Sequence, residues 1–290
     1  MTTQEKQQIA NELKVFCDRK GSQRKGANSL KGVSEATVTH ILTNKWDKIA
    51  DRMWRGVKAQ LEISRRDWVC VETSIYQTLT ELIEDAQDNS QVHAIVASAG
   101  TGKTQTMKLY TENHPNAFMV QCNEFWNKKA FMAELLSAMG RKSGGMTIHE
   151  MVYEAVKYLK SIENPVILLD EFDKVNDQIL YFFITFYNLL EDDCAIILCA
   201  TEFLQKRIER GEKLNKKGYR EIYSRLGRKF VDLGDITQQD CILICANNGI
   251  TDKQDIKSVW QECNGDLRRV KKKIHTLKLE RIEAIETETT

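Results

Sequence analysis

Two prolines in 290 residues are too few for a proline-rich or collagenous chain, and fifteen scattered glycines do not make a low-complexity one. Long hydrophobic runs are missing as well. The longest, Ile179 to Leu190, is broken by Thr185 and Asn188 and falls well short of the roughly 20 apolar residues that span a bilayer. No membrane segment is expected. The opening stretch MTTQEKQQIANELK is polar from the start and lacks the apolar centre of a secretory signal, so the expected location is cytoplasmic. The eight cysteines form no Cys-x-x-Cys pair, and Cys194 and Cys199 lie inside the apolar run CAIILCA. Reduced, buried thiols fit that pattern better than disulfides or zinc ligands.

What is present is a folded, helix-rich chain, 42% hydrophobic and 29% charged. A formal net charge of +1 conceals an uneven spread. Residues 1–66 carry 14 Lys and Arg against 7 Asp and Glu, and residues 205–230 carry 10 against 3. Two local excesses of cations point to a polyanionic partner. The first 62 residues read as several short helices. Within them SQRKGANSL leads to the break Lys31-Gly32-Val33, and Ser34 then opens EATVTHIL. Ala27, Leu30, Val33 and Val38 would pack between two helices, Gly32 would permit the turn, and Ser34 would cap the second helix. This pattern resembles the helix-turn-helix of lambda-repressor-type DNA-binding domains, with one residue more than usual in the turn, and the resemblance implies that the exposed positions Ser34, Glu35, Thr37 and His40 face the major groove of DNA. Trp46 and Trp54 are expected to pack this bundle.

After a charged connector at Gln60 to Asp67, strand patterns alternate with helical ones: VHAIVA at 92, AFMVQ at 117, PVILLD at 165, CAIILCA at 194 and KFVDL at 229. Near-continuous apolar strands separated by amphipathic helices predict a parallel sheet covered on both faces. From Thr237 onward the pattern is helical, ending in the basic segment Leu267 to Ile282 and a polar tail from Glu283. The expected division is a helix-turn-helix domain at 1–62, an α/β core at 63–235 and a small helical lid at 236–290. The aromatic set Tyr181, Phe182, Phe183, Phe186 and Tyr187 reads as helix core.

The chemistry is concentrated in two motifs. Ala97-Ser98-Ala99-Gly100-Thr101-Gly102-Lys103-Thr104 follows the first strand and opens a helix. In such a phosphate loop, Ala99 to Lys103 turn backbone N–H groups toward an anion, the helix N-terminus adds its positive end, Lys103 reaches the β- and γ-phosphates, and Thr104 ligates Mg2+. The second motif, Val166-Ile167-Leu168-Leu169-Asp170-Glu171, puts Asp170 at the end of a buried strand, where it can order Mg2+, and leaves Glu171 to polarise the attacking water. The pair predicts nucleotide hydrolysis and not binding alone.

These residues resemble the AAA+ ATPases. The resemblance implies a P-loop NTPase with a five-stranded parallel sheet and a helical lid. It implies a sensor at Thr201 and a lid arginine at Arg268 within Gly265-Asp266-Leu267-Arg268. It also implies an arginine finger, Arg225 or else Arg228, offered to the nucleotide of the next subunit. Within that class the chain is most similar to the phage Mu transposition protein B family, over most of its length. That similarity implies ATP-dependent assembly as a helical filament or ring around double-stranded DNA, delivery of that DNA to a transposase, and phosphate contacts from Arg141 and Lys142, with Lys128 and Lys129 as the alternative. Ala97 in place of the first loop glycine, Thr201 where that family tends to have Asn, and a nearly neutral net charge are departures. A helicase-loader type of ATPase and a nucleotide-sensing helix-turn-helix regulator are the other readings.

Overall fold

The computed structural model describes residues 1–64 and 68–287. By contacts the chain divides into two units. One comprises residues 1–71, 244–262 and 268–290, the other residues 72–243 and 263–267.

The first unit is helical. Helix α1 (Thr3–Lys20) is followed by α2 (Gln23–Asn28), α3 (Glu35–Leu42), a 3-10 turn at Trp46–Lys48 and α4 (Asp51–Ser64). The expectation of short helices is corrected at α1, where a reciprocal Thr2–Glu5 capping box starts eighteen residues of helix and Gly21, at φ 85°, ends them. The connector expected from Gln60 is helical as far as Ser64, and its residues 65–67 lie outside the described residues. Ile9, Leu13, Ala27, Leu30, Val33, Val38, Ile41 and Trp54 share one core, with Trp46 set edge-on to Trp54 at 5.5 Å between ring centroids.

The second unit starts with α5 (Ser74–Asp88) and continues through β1 (Val92–Val96), α6 (Lys103–Asn113), β2 (Ala117–Gln121), α7 (Lys128–Ala138), α8 (Ile148–Leu159), β3 (Val166–Asp170), α9 (Asp177–Leu190), β4 (Ala195–Ala200), α10 (Glu202–Lys213), α11 (Tyr219–Arg225) and β5 (Phe230–Asp232). All five expected strands form. They make one parallel sheet in the order β2-β3-β4-β1-β5. Side chains alternate across it, as a period of two requires. Ile167, Leu169, Ile196 and Leu198 join α7, α8 and α9 on one face, and Val166, Leu168, Ile197 and Cys199 join α5 and α6 on the other. Phe183 and Phe186 are in that first core, with Tyr181, Phe182 and Tyr187 packed against it.

Helices α12 (Gln238–Asn247), α13 (Lys253–Cys263) and α14 (Leu267–Thr287) complete the chain. The tail expected from Glu283 is corrected to helix through Thr287, because the basic amphipathic repeat carries no breaker there; residues 288–290 lie outside the described residues. Among the described residues no helix is long and apolar enough to cross a membrane. All eight cysteines are free and seven are buried. Burial pushes the Cys122 and Cys199 thiols up, which makes them poor nucleophiles.

Two tight junctions of the second unit give tests. Gly211 sits where an added Cβ would lie 2.2 Å from the ring of Tyr219, which is itself 1% exposed. Gly211→Ala is expected to lower stability by about 1–3 kcal/mol in a thermal melt, because neither the ring nor the helix can retreat. Asp240 joins the start of α5 to α12. It accepts from Ser74 N and Oγ at 2.7 Å each and from Thr237 N and Oγ1 at 2.8 Å each. Burial raises its carboxyl, but the hydrogen bonds from Thr237 and Ser74 outweigh that and hold it below the usual range. Its contribution is therefore present above about pH 4 and is lost as pH falls through the depressed folded value. Asp240→Asn is expected to cost roughly 1–3 kcal/mol at neutral pH, with the gap between variant and parent in denaturant melts narrowing below pH 4.

Candidate functional site

Strand β1, between β4 and β5, delivers the phosphate loop to the carboxyl edge of the sheet, the edge at which open α/β folds bind ligands. Gly100 and Gly102 take φ of 85° and 103°, values closed to most side chains, and Gly102 caps α6. Gly100 also needs its lack of a side chain, since a Cβ there would fall 2.1 Å from Asp266 Oδ1. Leu267 N, in turn, donates to Gly100 O at 2.8 Å. Thr101 is buried and ties the loop by donating to Ser98 O at 3.0 Å. Lys103, 9% exposed, curls back over the loop, and its Nζ donates to Ala97 O and Ser98 O at 2.8 Å each. Ala97 itself continues the sheet, its N donating to Ala200 O, which explains why a methyl group is accommodated there. Ala99 is exposed at the loop's outer bend.

The carboxyl end of β3 completes the site. Thr104 Oγ1 donates to Asp170 Oδ2 at 2.6 Å, joining the loop to the second motif. Asp170 is 1% exposed, and burial pushes its carboxyl above the usual range against the hydrogen bonds from Thr104 and Glu171 N. A buried carboxylate next to a hydroxyl is a donor set that fits Mg2+, a hard cation preferring oxygen ligands. Glu171 turns the chain with φ 53° into a 3-10 turn at Phe172–Lys174, so its carboxylate leaves the strand direction. There Oε2 accepts from Lys174 Nζ at 2.7 Å and from Gln121 Nε2 at 3.2 Å. Thr201, at the end of β4, donates to Asp173 Oδ2 at 2.7 Å while capping α10.

Lys103, Thr104, Asp170, Glu171 and Thr201 therefore stand together at the ends of β1, β3 and β4. Arg225 does not join them. Its guanidinium donates to Asn188 Oδ1, pairs with Glu221 at 2.8 Å and lies 5.6 Å over Tyr187. It lines a cleft of about 310 Å³ with Val92, Cys194 and Ile196, at the amino ends of β1 and β4, the opposite edge of the sheet. Arg228 is exposed, at φ 55° in the turn before β5. Arg268 belongs to the other unit, in the first turn of α14. Arg141 is engaged by Glu154 at 2.8 Å and lies 4.8 Å over Tyr158, whereas Lys142 is exposed. In the helical unit Ser34 caps α3 through Thr37 N, Ser34 and Thr37 hydroxyls are 2.9 Å apart, and His40 is partly exposed in the last turn.

Gln121, Lys174, Asp173 and Arg207 are site neighbours that motif reading passed over. Gln121 carried a signal: it is the one polar residue closing the apolar strand AFMVQ, in register with Asp170.

A parallel sheet of this strand order, with a phosphate loop after β1 and an acidic pair at the end of β3, two strands away, is the fold of an AAA+ P-loop NTPase. Residues 86–208 match the family model of the AAA domain. No curated protein matches the chain. Solved structures similar to it include Cdc6p from Pyrobaculum aerophilum, at 19% identity and TM-score 0.49 over 70% of this chain and 58% of that one. NtrX from Brucella abortus in complex with ATP is similar at 16% identity and TM-score 0.47, over 86% of this chain and 60% of that one. The chain thus spans less than two thirds of the length of either.

If Thr104 ligates the cation, Thr104→Val is expected to weaken nucleotide triphosphate binding roughly tenfold or more in magnesium and to leave binding in EDTA unchanged. A fluorescent-nucleotide titration with and without EDTA reads both.

Proposed function

We propose that this chain is an ATPase that assembles on double-stranded DNA and delivers it to a transposase. The observation that carries the assembly is the placement of Arg225 at one edge of the sheet and of Lys103, Asp170 and Glu171 at the other. A five-residue strand spans about 16 Å, so Arg225 cannot serve the phosphates of its own loop. It is available to those of a neighbour, with Arg228 as the second candidate for the same task.

ATP is the substrate. The loop from Ala99 to Thr104 binds its phosphates through backbone N–H groups and Lys103. Thr104 and Asp170 would hold Mg2+, which when bound would neutralise charge at the phosphoryl oxygens. Glu171 orients the attacking water and takes its proton as the water oxygen bonds the γ-phosphorus and the bond to the ADP oxygen breaks. Thr201 fixes the turn that follows Glu171, and Arg268 is assigned to the γ-phosphate from the lid. Charge spreading over the γ-oxygens then meets the neighbour's arginine, which makes hydrolysis depend on assembly and lets loss of the γ-phosphate loosen it.

DNA binding is supported by the cation excess of residues 1–66. Ser34, Thr37 and His40 on α3 are assigned to the groove in a helix-turn-helix domain at 1–62, and Arg141 and Lys142 in the core at 63–235 are assigned to phosphates. The lid at 236–290 completes the division. Transposase delivery rests on the resemblance to the phage Mu transposition protein B family.

ATP turnover per subunit, measured across protein concentrations with and without duplex DNA, tests the reading. Turnover is expected to rise with concentration and with DNA. Lys103→Ala should abolish nucleotide-dependent assembly, and Arg225→Ala should keep nucleotide binding while slowing turnover by roughly 10³-fold. A per-subunit rate indifferent to concentration and DNA would overturn it.

A further inference from the structure

The second unit holds, beside the Glu171 turn, a charged network that the chemistry above does not use. Arg207, on α10, extends its guanidinium under the turn that follows Glu171. Nη1 donates to Val175 O at 2.6 Å and more distantly to Asp173 O at 3.5 Å. Nη2 pairs with Asp177 at the first turn of α9. Nε reaches Tyr219 Oη at 3.4 Å, and that hydroxyl donates to Asp177 Oδ1 at 2.9 Å. One side chain thus gathers the Glu171 turn, α9, α10 and α11. The planar fork is suited to this, since lysine offers no fixed set of directions.

Two features make the junction stiff. Tyr219 is 1% exposed, wedged against Gly211, where there is no room even for a methyl group, and edge-on to Tyr181 at 6.0 Å. The Glu171 turn is fastened a second time by Thr201 to Asp173. Through Arg207, Asp177 and Tyr219 that turn is joined to α11. That helix begins at Tyr219 and ends at Arg225, a rod about 10 Å long.

We propose that Arg207 is a positioning residue that holds the Glu171 turn and, through Asp177 and Tyr219, couples it to the helix bearing Arg225, so that one subunit's hydrolytic state sets the arginine presented to the next. The proposal rests on the reading of Glu171 and Arg225 given above and assigns to that reading its communication path. Arg207 touches no substrate.

The test is a set of full-length variants assayed for ATP turnover with magnesium and duplex DNA. Arg207→Lys keeps the charge and loses the fork. It is expected to lower kcat about 10- to 100-fold, the scale of a small misplacement of a reacting group, with the KM for ATP within about twofold of the parent. Tyr219→Phe keeps the ring against Gly211 and removes only the hydroxyl. Combined with Arg225→Ala it is expected to slow turnover no further than Arg225→Ala alone, because both act on one arginine. Additive losses in that cycle, or an Arg207→Lys enzyme with unchanged kcat, would overturn the proposal. So would a raised KM for ATP with kcat unchanged, the mark of lost nucleotide binding and not of lost positioning. Melting temperatures of all variants accompany the assay, and Tyr219→Phe carries the decision should Arg207→Lys fold poorly. A parent no faster than Lys103→Ala would instead remove the hydrolytic reading itself, an outcome distinct from each of these.

Discussion

The hydrogen bond from Thr104 to Asp170 is the contact on which the site depends. It joins the first turn of α6 to the last residue of β3, two strands away from β1 in the sheet. It can form only if the strands are parallel and in register, so that their carboxyl ends open on one side. The core is arranged to guarantee this. Val166 to Leu169 and Ala195 to Ala200 are buried on both faces of the sheet, and a slip of one residue would exchange the side chains of the two cores. Register is thereby set by burial, and burial sets the spacing of the Thr104 and Asp170 oxygens.

The same sheet gives the molecule two chemically different edges. At the carboxyl edge lie a buried carboxylate, a half-buried glutamate held by Lys174 and Gln121, and a lysine folded over its own loop. At the amino edge lies an arginine anchored by Glu221, Asn188 and Tyr187. An arginine so anchored has a defined direction at little further entropic cost. Between the edges, α9, α10 and α11 provide stiff connections through Arg207 and Tyr219. Close packing at Gly211 leaves little room for independent motion.

Several features were legible because they are local. The two φ-positive glycines of the loop, the apolar strands and the capping residue Ser34 are each set by neighbours within a few residues. The length of α1 was harder to read, since its hydrophobic pattern is weak and its caps lie at the two ends of a polar segment. The last helix outran its expected end for a related reason: a polar tail without glycine or proline supplies no stop signal. Gln121 offered a hint through register. Lys174, Asp173 and Arg207 offered none, because a charged residue beside a motif or on an amphipathic helix has the same appearance whether it faces solvent or a partner.

The sequence by itself determined the strands, their burial on both sides, the phosphate loop and the acidic pair at the end of the third strand, since each follows from periodicity or from the backbone freedom of single residues. Only the tertiary structure decided which groups meet: that Thr104 reaches Asp170, that Glu171 is held by Gln121 and Lys174, that Arg225 faces away from its own loop, and that Arg207 binds three helices and a turn together. These pairings join residues from 3 to 66 positions apart. They depend on strand order and on side-chain directions that hydrophobic pattern does not encode, and so they come into being only when the core closes.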